Sequence, residues 1–197
     1  MTGQAGLQTF AVQCSVAQFI ELYLDLNHVS IIHPGLNSWI DVRSAKFEFS
    51  KTSSVQTAEF NPYKAKRGSY KTYYEAWMDT FGEPPKFGAV WELEYPGKMI
   101  ETYPGMLVIS TVAEEGDKCF NYLEFRDTAN NPDIFEAAKA SYLETADEDN
   151  VILENIAFDI LMANELGNKV SGTFHPVLKH GIKQYHKHGG KCPMHHA

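Results

Sequence analysis

Cysteine is scarce in this 197-residue chain. Cys14, Cys119 and Cys192 are too few and too scattered for a disulfide framework, which predicts reduced thiols and a cytoplasmic setting. Basic residues are also in deficit, with 17 Lys and Arg against 25 Asp and Glu, a net charge of -8. That balance argues against nucleic acid and anionic membrane as partners. No window approaches the roughly 18 to 20 uninterrupted apolar residues of a membrane span. The opening stretch MTGQAGLQTFAVQC has no basic flank and no sustained apolar core, so it is not expected to act as a secretion signal. Internal repeats and low-complexity linkers are missing as well. What remains is 44% hydrophobic, enough for one domain that buries roughly two-thirds of its unfolded surface. These exclusions leave a soluble, single-domain protein built around a small ligand or cofactor.

Hydrophobic spacing predicts a helix over 15–32, carried by Val16, Phe19, Ile20, Tyr23, Leu24 and Leu26, with Ser15 as N-cap. His33-Pro34-Gly35 should end it, because the residue before proline is pushed out of the α region. From Trp39 to Ser110 the pattern reads mostly as strand, with period-two runs at 45–50, 54–60 and 89–95 and a buried run at 105–112. Phe120 to Arg126 alternates again. After Asn130-Asn131-Pro132 the period changes, predicting helices over 134–145 and 147–166. Helix, antiparallel strands, then helices predicts an α+β domain, a curved antiparallel sheet wrapped around a long C-terminal helix, enclosing a ligand cavity.

The histidines are unevenly spread. Six of eight (His175, His180, His186, His188, His195 and His196) fall in the last 23 residues, and the other two, His28 and His33, lie together near the start. Asp25 and His28 are three apart and share a helix face, about 60° apart, with Glu21 one turn below. His28 and His33 would lie about 140° apart on a straight helix. A helix that ends near Ile32 would let His33 swing onto the face of His28. Two imidazoles so placed need one carboxylate to complete a facial triad with open positions. Asp25 suits the outer role of accepting the second ring N–H of a ligating histidine. The third ligand should come from elsewhere, and Asp147-Glu148-Asp149 at the start of the last predicted helix is the best acidic source.

The pattern Asp25-x-x-His28-x-x-x-x-His33 resembles the iron-binding signature in the catalytic domain of Rieske non-heme iron ring-hydroxylating oxygenase α subunits. Asp147 to Glu154 is similar to that family's acidic helix start, and Tyr95 to Glu101 through Ser110 to its central strands under the iron. The resemblance implies a helix-grip (START-like) fold, with mononuclear Fe(II) held by His28, His33 and Asp149, Asp147 being the fallback. It implies that Asp25 bridges an iron histidine to a Rieske histidine on a neighbouring subunit, and hence a homotrimer. Activation of O2 would serve hydroxylation, dihydroxylation or oxidative demethylation of a small apolar or aromatic substrate.

Departures from the family are equally plain. Cys192-Pro-Met-His195 has the spelling of half a Rieske [2Fe–2S] site, but no Cys-x-His occurs, so the cluster cannot be built from this chain. Leu22 stands where the family usually has asparagine. The expectation is therefore a catalytic domain over 1–185, a His-rich flexible tail over 186–197, and an external Rieske or ferredoxin electron donor. The alternatives are a non-catalytic hydrophobic-ligand-binding grip and a truncated, inactive remnant. Glu21 and Glu154 are read as outer-sphere groups or as a solvated helix face. Tyr70, Tyr73, Tyr74 and Trp77 are read as core plus surface, or alternatively as pocket lining. The tail residues His186, His188, Cys192, His195 and His196 are read as a frayed segment ahead of a metal site.

Overall fold

A computed structural model describes residues 5–153, apart from 13–15, 17, 18, 20, 21, 24, 25, 51, 66–68, 95, 96, 116 and 117. Asp25, Glu21, Glu154 and the His-rich tail lie outside the described residues. In chain order the elements are β1 (Ala5–Val12), α1 (Asn27–Ile32), α2 (Pro34–Trp39), β2 (Ile40–Phe49), β3 (Ser53–Phe60) and α3 (Ser69–Phe81). They continue with β4 (Ala89–Glu94), β5 (Lys98–Tyr103), β6 (Met106–Glu115), β7 (Lys118–Asp127) and α4 (Pro132–Leu153). Ahead of α1, Val16, Phe19, Leu22 and Tyr23 are also helical. No helix among the described residues is long and apolar enough to cross a membrane.

All seven strands form one antiparallel sheet in the order β1-β7-β6-β5-β4-β3-β2, so the α+β expectation holds. Alternation assigns the faces: Ala89, Trp91 and Leu93 on β4 and Met99, Glu101 and Tyr103 on β5 are buried, while their neighbours are not. Register then builds one inward row, Gln56–Trp91–Glu101–Val108–Phe125, across five strands. At its centre stands a carboxylate. The β5–β6 hairpin turns on Pro104-Gly105, with Gly105 at φ +83, the positive-φ second position that a proline-led type II turn reserves for glycine. A Cβ there would also strike Ile134 at 2.7 Å, so the turn lets the start of α4 pack close against the sheet.

Helix α4 starts from a side-chain cap, the Asn131 carboxamide oxygen accepting the backbone N–H groups of Asp133 and Ile134 at 3.0 and 3.2 Å. Its buried stripe is Ile134, Ala138, Tyr142, Ala146 and Leu153, packed on α3 and on the inner face of β6 and β7. The two helices expected over 134–145 and 147–166 are therefore one as far as Leu153, with Ala146 helical and buried at the expected break.

Three further elements depart from what strand periodicity marks. The stretch 69–81 is helix, because its aromatic residues recur at 70, 73, 74, 77 and 81, a helical period despite their strand propensity. Tyr70 and Tyr73 on it belong to the core rather than to a pocket: Trp39 stacks on Tyr73 at 4.0 Å and meets Phe60 edge-on at 5.0 Å. β5 is a strand where the resemblance placed one, over a range that periodicity alone does not mark, because its inward-facing glutamate breaks the apolar alternation. β1 is an edge strand pairing with β7 and leaves Leu7 exposed, which blurs the same signal.

Candidate metal centre and its pocket

The predicted break after Ile32 occurs, and a second short helix starts at once. His33 has φ -106 and ψ 80, outside helical space, and Pro34 then opens α2 at the position where its missing N–H costs nothing. The His33 N–H still reaches the Val29 carbonyl at 3.2 Å, so the break turns the side chain without detaching the chain. This brings the His28 and His33 rings to 5.1 Å, edge to face at 82°.

Opposite them lies α4. Asp149 sits three residues after Ala146 and seven after Tyr142, which puts it on the same stripe facing the sheet, while Asp147 is exposed. One carboxylate oxygen of Asp149 lies 2.7 Å from His33 Nε2 and 3.5 Å from His28 Nε2. Ligand atoms from His28, His33 and Asp149 all fall within 4.8 Å of one another. Cis ligands held at about 2.1 Å from one ion lie roughly 3 Å apart, so the Asp149–histidine distances suit a shared ion. Two imidazoles and one carboxylate on one side of a cavity are the donor set of a facial triad. The residues fit such a group.

Glu148, adjacent on α4, carries a role that sequence reasoning missed. Its carboxylate accepts from Nδ1 of the fully buried His33 at 2.7 Å, so it can fix the ring's orientation and tautomer while Nε2 faces Asp149. Consecutive helix residues diverge by about 100°, yet a ring presented edge-on takes one carboxylate on each nitrogen. Burial opposes a charge on His33, but hydrogen bonds and charge from Asp149 and then Glu148 outweigh it and hold its pKa above that of a free imidazole. Burial likewise pushes the Asp149 carboxyl up, and the two histidines more than reverse this and hold it below the usual carboxylate range.

A pocket opens over this cluster. Besides His28, His33 and Asp149 it is lined by Tyr23, Trp91, Glu101, Tyr103 and Tyr142, with Leu26, Val29, Leu36, Thr145 and Ala146 making up the apolar wall. Glu101 is 1% exposed. Its Oε1 accepts from the Tyr142 hydroxyl at 2.6 Å and its Oε2 from the Tyr103 hydroxyl at 3.3 Å. The Trp91 indole N–H donates in turn to Tyr103 at 3.1 Å, and Tyr23 lies 3.3 Å from the Tyr142 hydroxyl. Burial raises the Glu101 pKa to about 7 against the opposing pull of the tyrosine hydrogen bonds, with the charge of Asp149 adding to the rise. Burial, followed by the negative charge of Glu101, also holds Tyr23, Tyr103 and Tyr142 well above the ordinary phenol value.

The fold built on this pocket is shared with Rieske oxygenases. A quaternary ammonium Rieske monooxygenase in complex with an inhibitor superposes with a TM-score of 0.65 at 11% identity, over 93% of this chain and 49% of that one. Dicamba monooxygenase bound to 3,6-dichlorosalicylic acid gives 0.59 at 11% identity, over 94% and 58%. Among curated proteins, two putrescine 2-hydroxylases are similar in sequence. That of Bordetella bronchiseptica is 32% identical over 177 residues, covering 86% of this chain and 41% of the relative. That of Ralstonia nicotianae is 34% identical over 179 residues, covering 86% and 48%. The chain thus spans less than half the length of the curated relatives it matches. No protein-family model matches it.

Proposed function

We propose that this chain is the catalytic part of a mononuclear non-heme iron oxygenase that hydroxylates a small amine, with His28, His33 and Asp149 as the iron ligands. The observation that carries the reading is the convergence of those three ligand atoms within 4.8 Å at the edge of a lined pocket. When bound, Fe(II) supplies reductive activation of O2, in a setting that leaves coordination positions open. The chain's own residues do the rest. Glu148 holds the His33 ring in one orientation, Asp149 supplies the anionic donor between the two imidazoles, and Leu26, Val29, Leu36 and Ala146 give the site an apolar wall. The relatives named for putrescine hydroxylation favour an aliphatic amine over the apolar or aromatic substrate expected from pocket type alone.

The open sheet gripping α4 supports a helix-grip fold of the START type, and the similarity to Rieske monooxygenases supports electrons arriving from a Rieske or ferredoxin donor outside this chain. In this reading they enter through Asp25 in a homotrimer, and the reaction runs in the cytoplasm, where the buried thiol of Cys119 also stays reduced. Asp25→Ala should then abolish donor-dependent turnover, and full turnover with every candidate donor would remove the relay.

The iron assignment is tested by iron content after anaerobic Fe(II) reconstitution. About one iron per chain is expected for the wild type and for a chain cut before His186, and none for His28→Ala/His33→Ala. Iron that survives the double substitution, or that follows the tail, would overturn the assignment.

A further inference from the structure

We propose that Glu101, ringed by Tyr23, Trp91, Tyr103 and Tyr142, is the specificity-determining residue that anchors a protonated amino group of the substrate beside the metal site. This assignment rests on the oxygenase reading and gives its substrate preference a residue. A carboxylate on the inner face of a sheet needs a reason. Its strand-to-strand neighbours in the same row are Trp91 and Val108, where an apolar side chain would pack without desolvating a charge. Among the described residues Glu101 forms no ion pair, since every one of those is made by other acids.

The hydrogen bonds around Glu101 leave room for a ligand. A carboxylate offers about four acceptor sites, and the hydroxyls of Tyr142 and Tyr103 occupy two of them, while Tyr23 is spent on the Tyr142 hydroxyl. The pocket supplies what a cation would take up next. Tyr103 stands edge to face with both Trp91, at 6.2 Å and 88°, and Tyr142, at 5.9 Å and 79°, so ring faces are presented in different directions around the carboxylate. Such faces attract ammonium groups most strongly where water is excluded. Glu101 and the triad line the same pocket, so a short amine held here has its carbon chain in the space shared with His28, His33 and Asp149.

Protonation supports the same assignment. The groups facing Glu101 are Tyr103 on its own strand, Trp91 on β4, Tyr142 and Asp149 on α4, and Tyr23, and none of them is cationic. With its pKa near 7 the side chain is only partly ionised at neutral pH, and an ammonium arriving beside it would complete the ionisation and release the remaining proton.

The test is calorimetric binding, on the full Fe(II)-loaded chain under anaerobic conditions, of 1,4-diaminobutane, n-butylamine and the neutral isostere 1,4-butanediol. The wild type should bind both amines and discriminate against the diol, and Glu101→Gln should weaken amine binding by about 30-fold or more while leaving diol binding and iron content unchanged. The wild-type preference for amine over diol keeps the proposal falsifiable if the variant fails to fold. Equal amine affinity in wild type and variant, or equal affinity for diamine and diol in the wild type, would overturn it. Iron content on the same samples separates the two readings: a wild type without iron that still binds amines through Glu101 keeps this assignment and removes the oxygenase.

Discussion

Two clusters in this molecule are built from the same residue types to opposite ends. At one, Trp39, Phe60, Tyr70 and Tyr73 close on each other, with Trp39 and Tyr73 stacked at 4.0 Å and the Trp39 and Tyr73 polar atoms bonded to the backbone carbonyls of Gly88 and Pro104. At the other, Tyr103 meets Trp91 and Tyr142 edge to face, the Tyr103 and Tyr142 hydroxyls donate to the Glu101 carboxylate, and Trp91 and Tyr23 in turn bond to those hydroxyls. Aromatic content is therefore uninformative here. What separates packing from recognition is where the polar tips go: the first cluster spends them on the Gly88 and Pro104 carbonyls and the neutral Thr145 hydroxyl, while the second gathers them round one ionisable group that lines a pocket.

The largest test of that contrast removes the centre of the closed cluster. Trp39→Ala should cost about 3–5 kcal/mol of stability in denaturant unfolding, because a fully buried indole leaves a cavity that its stacked partners cannot fill. A loss below about 1 kcal/mol would mean the cluster relaxes as a pocket does.

The second test asks for a pH dependence that only the open cluster can give. Glu101 has an ordinary pKa of 4.5, raised to about 7 in the fold. Below 4.5 both folded and unfolded chains carry the proton; between 4.5 and 7 the folded chain keeps a proton that the unfolded chain has released. Stability therefore falls as pH rises through that window and levels off above it, and Glu101→Gln should lack this fall. The difference between wild type and variant should grow by ~3 kcal/mol from pH 4.5 to 8, measured as chemical-denaturation midpoints. A constant difference would mean the carboxylate is not held against its charge.

Tyr142→Phe comes next. It deletes the 2.6 Å donor to Glu101 and should cost about 1.5–3 kcal/mol at pH 8, where the carboxylate is ionised, and less at pH 5. The smallest effect belongs to the outer face of the sheet. Arg126→Ala breaks a 2.7 Å pair with Glu124 in which the arginine is half exposed, and thermal melts should register less than about 1 kcal/mol, declining with salt.

The contrast also explains what was legible in the sequence. His28, His33 and the break between them could be read because all the information is local: two side chains, a proline and a helical period. Asp149 required a resemblance, although a continuous helix from Pro132 would have placed it on the stripe of Ala138, Tyr142 and Ala146, with Asp147 off it. Reading two helices there concealed that. Glu148 was unreadable as a partner of His33, because nothing in the chain says which nitrogen of a ring 115 residues away will face it. Glu101 hid for the opposite reason. Inward position on a strand is signalled by apolarity, and a functional residue that breaks the pattern also erases the strand that carries it. The aromatic run on α3 packs as core, the first of its two readings, while the tyrosines that line the pocket are spread over positions 23, 103 and 142 and meet only in the fold.

That dispersion has a consequence for the order of folding. His33 reaches across 115 and 116 residues to Glu148 and Asp149, and Glu101 across 41 to Tyr142, whereas β4 to β7 pair with their sequence neighbours through short connections. Each long closure costs chain entropy before any contact repays it, so the sheet's local hairpins form early and the docking of α4 onto the two histidines comes late. A chain with every hairpin paired and α4 still loose possesses both imidazoles and neither half of their carboxylate clamp. Occupancy of the pocket is thus a readout of completed folding, and whatever binds it selects, by mass action, for molecules that have finished.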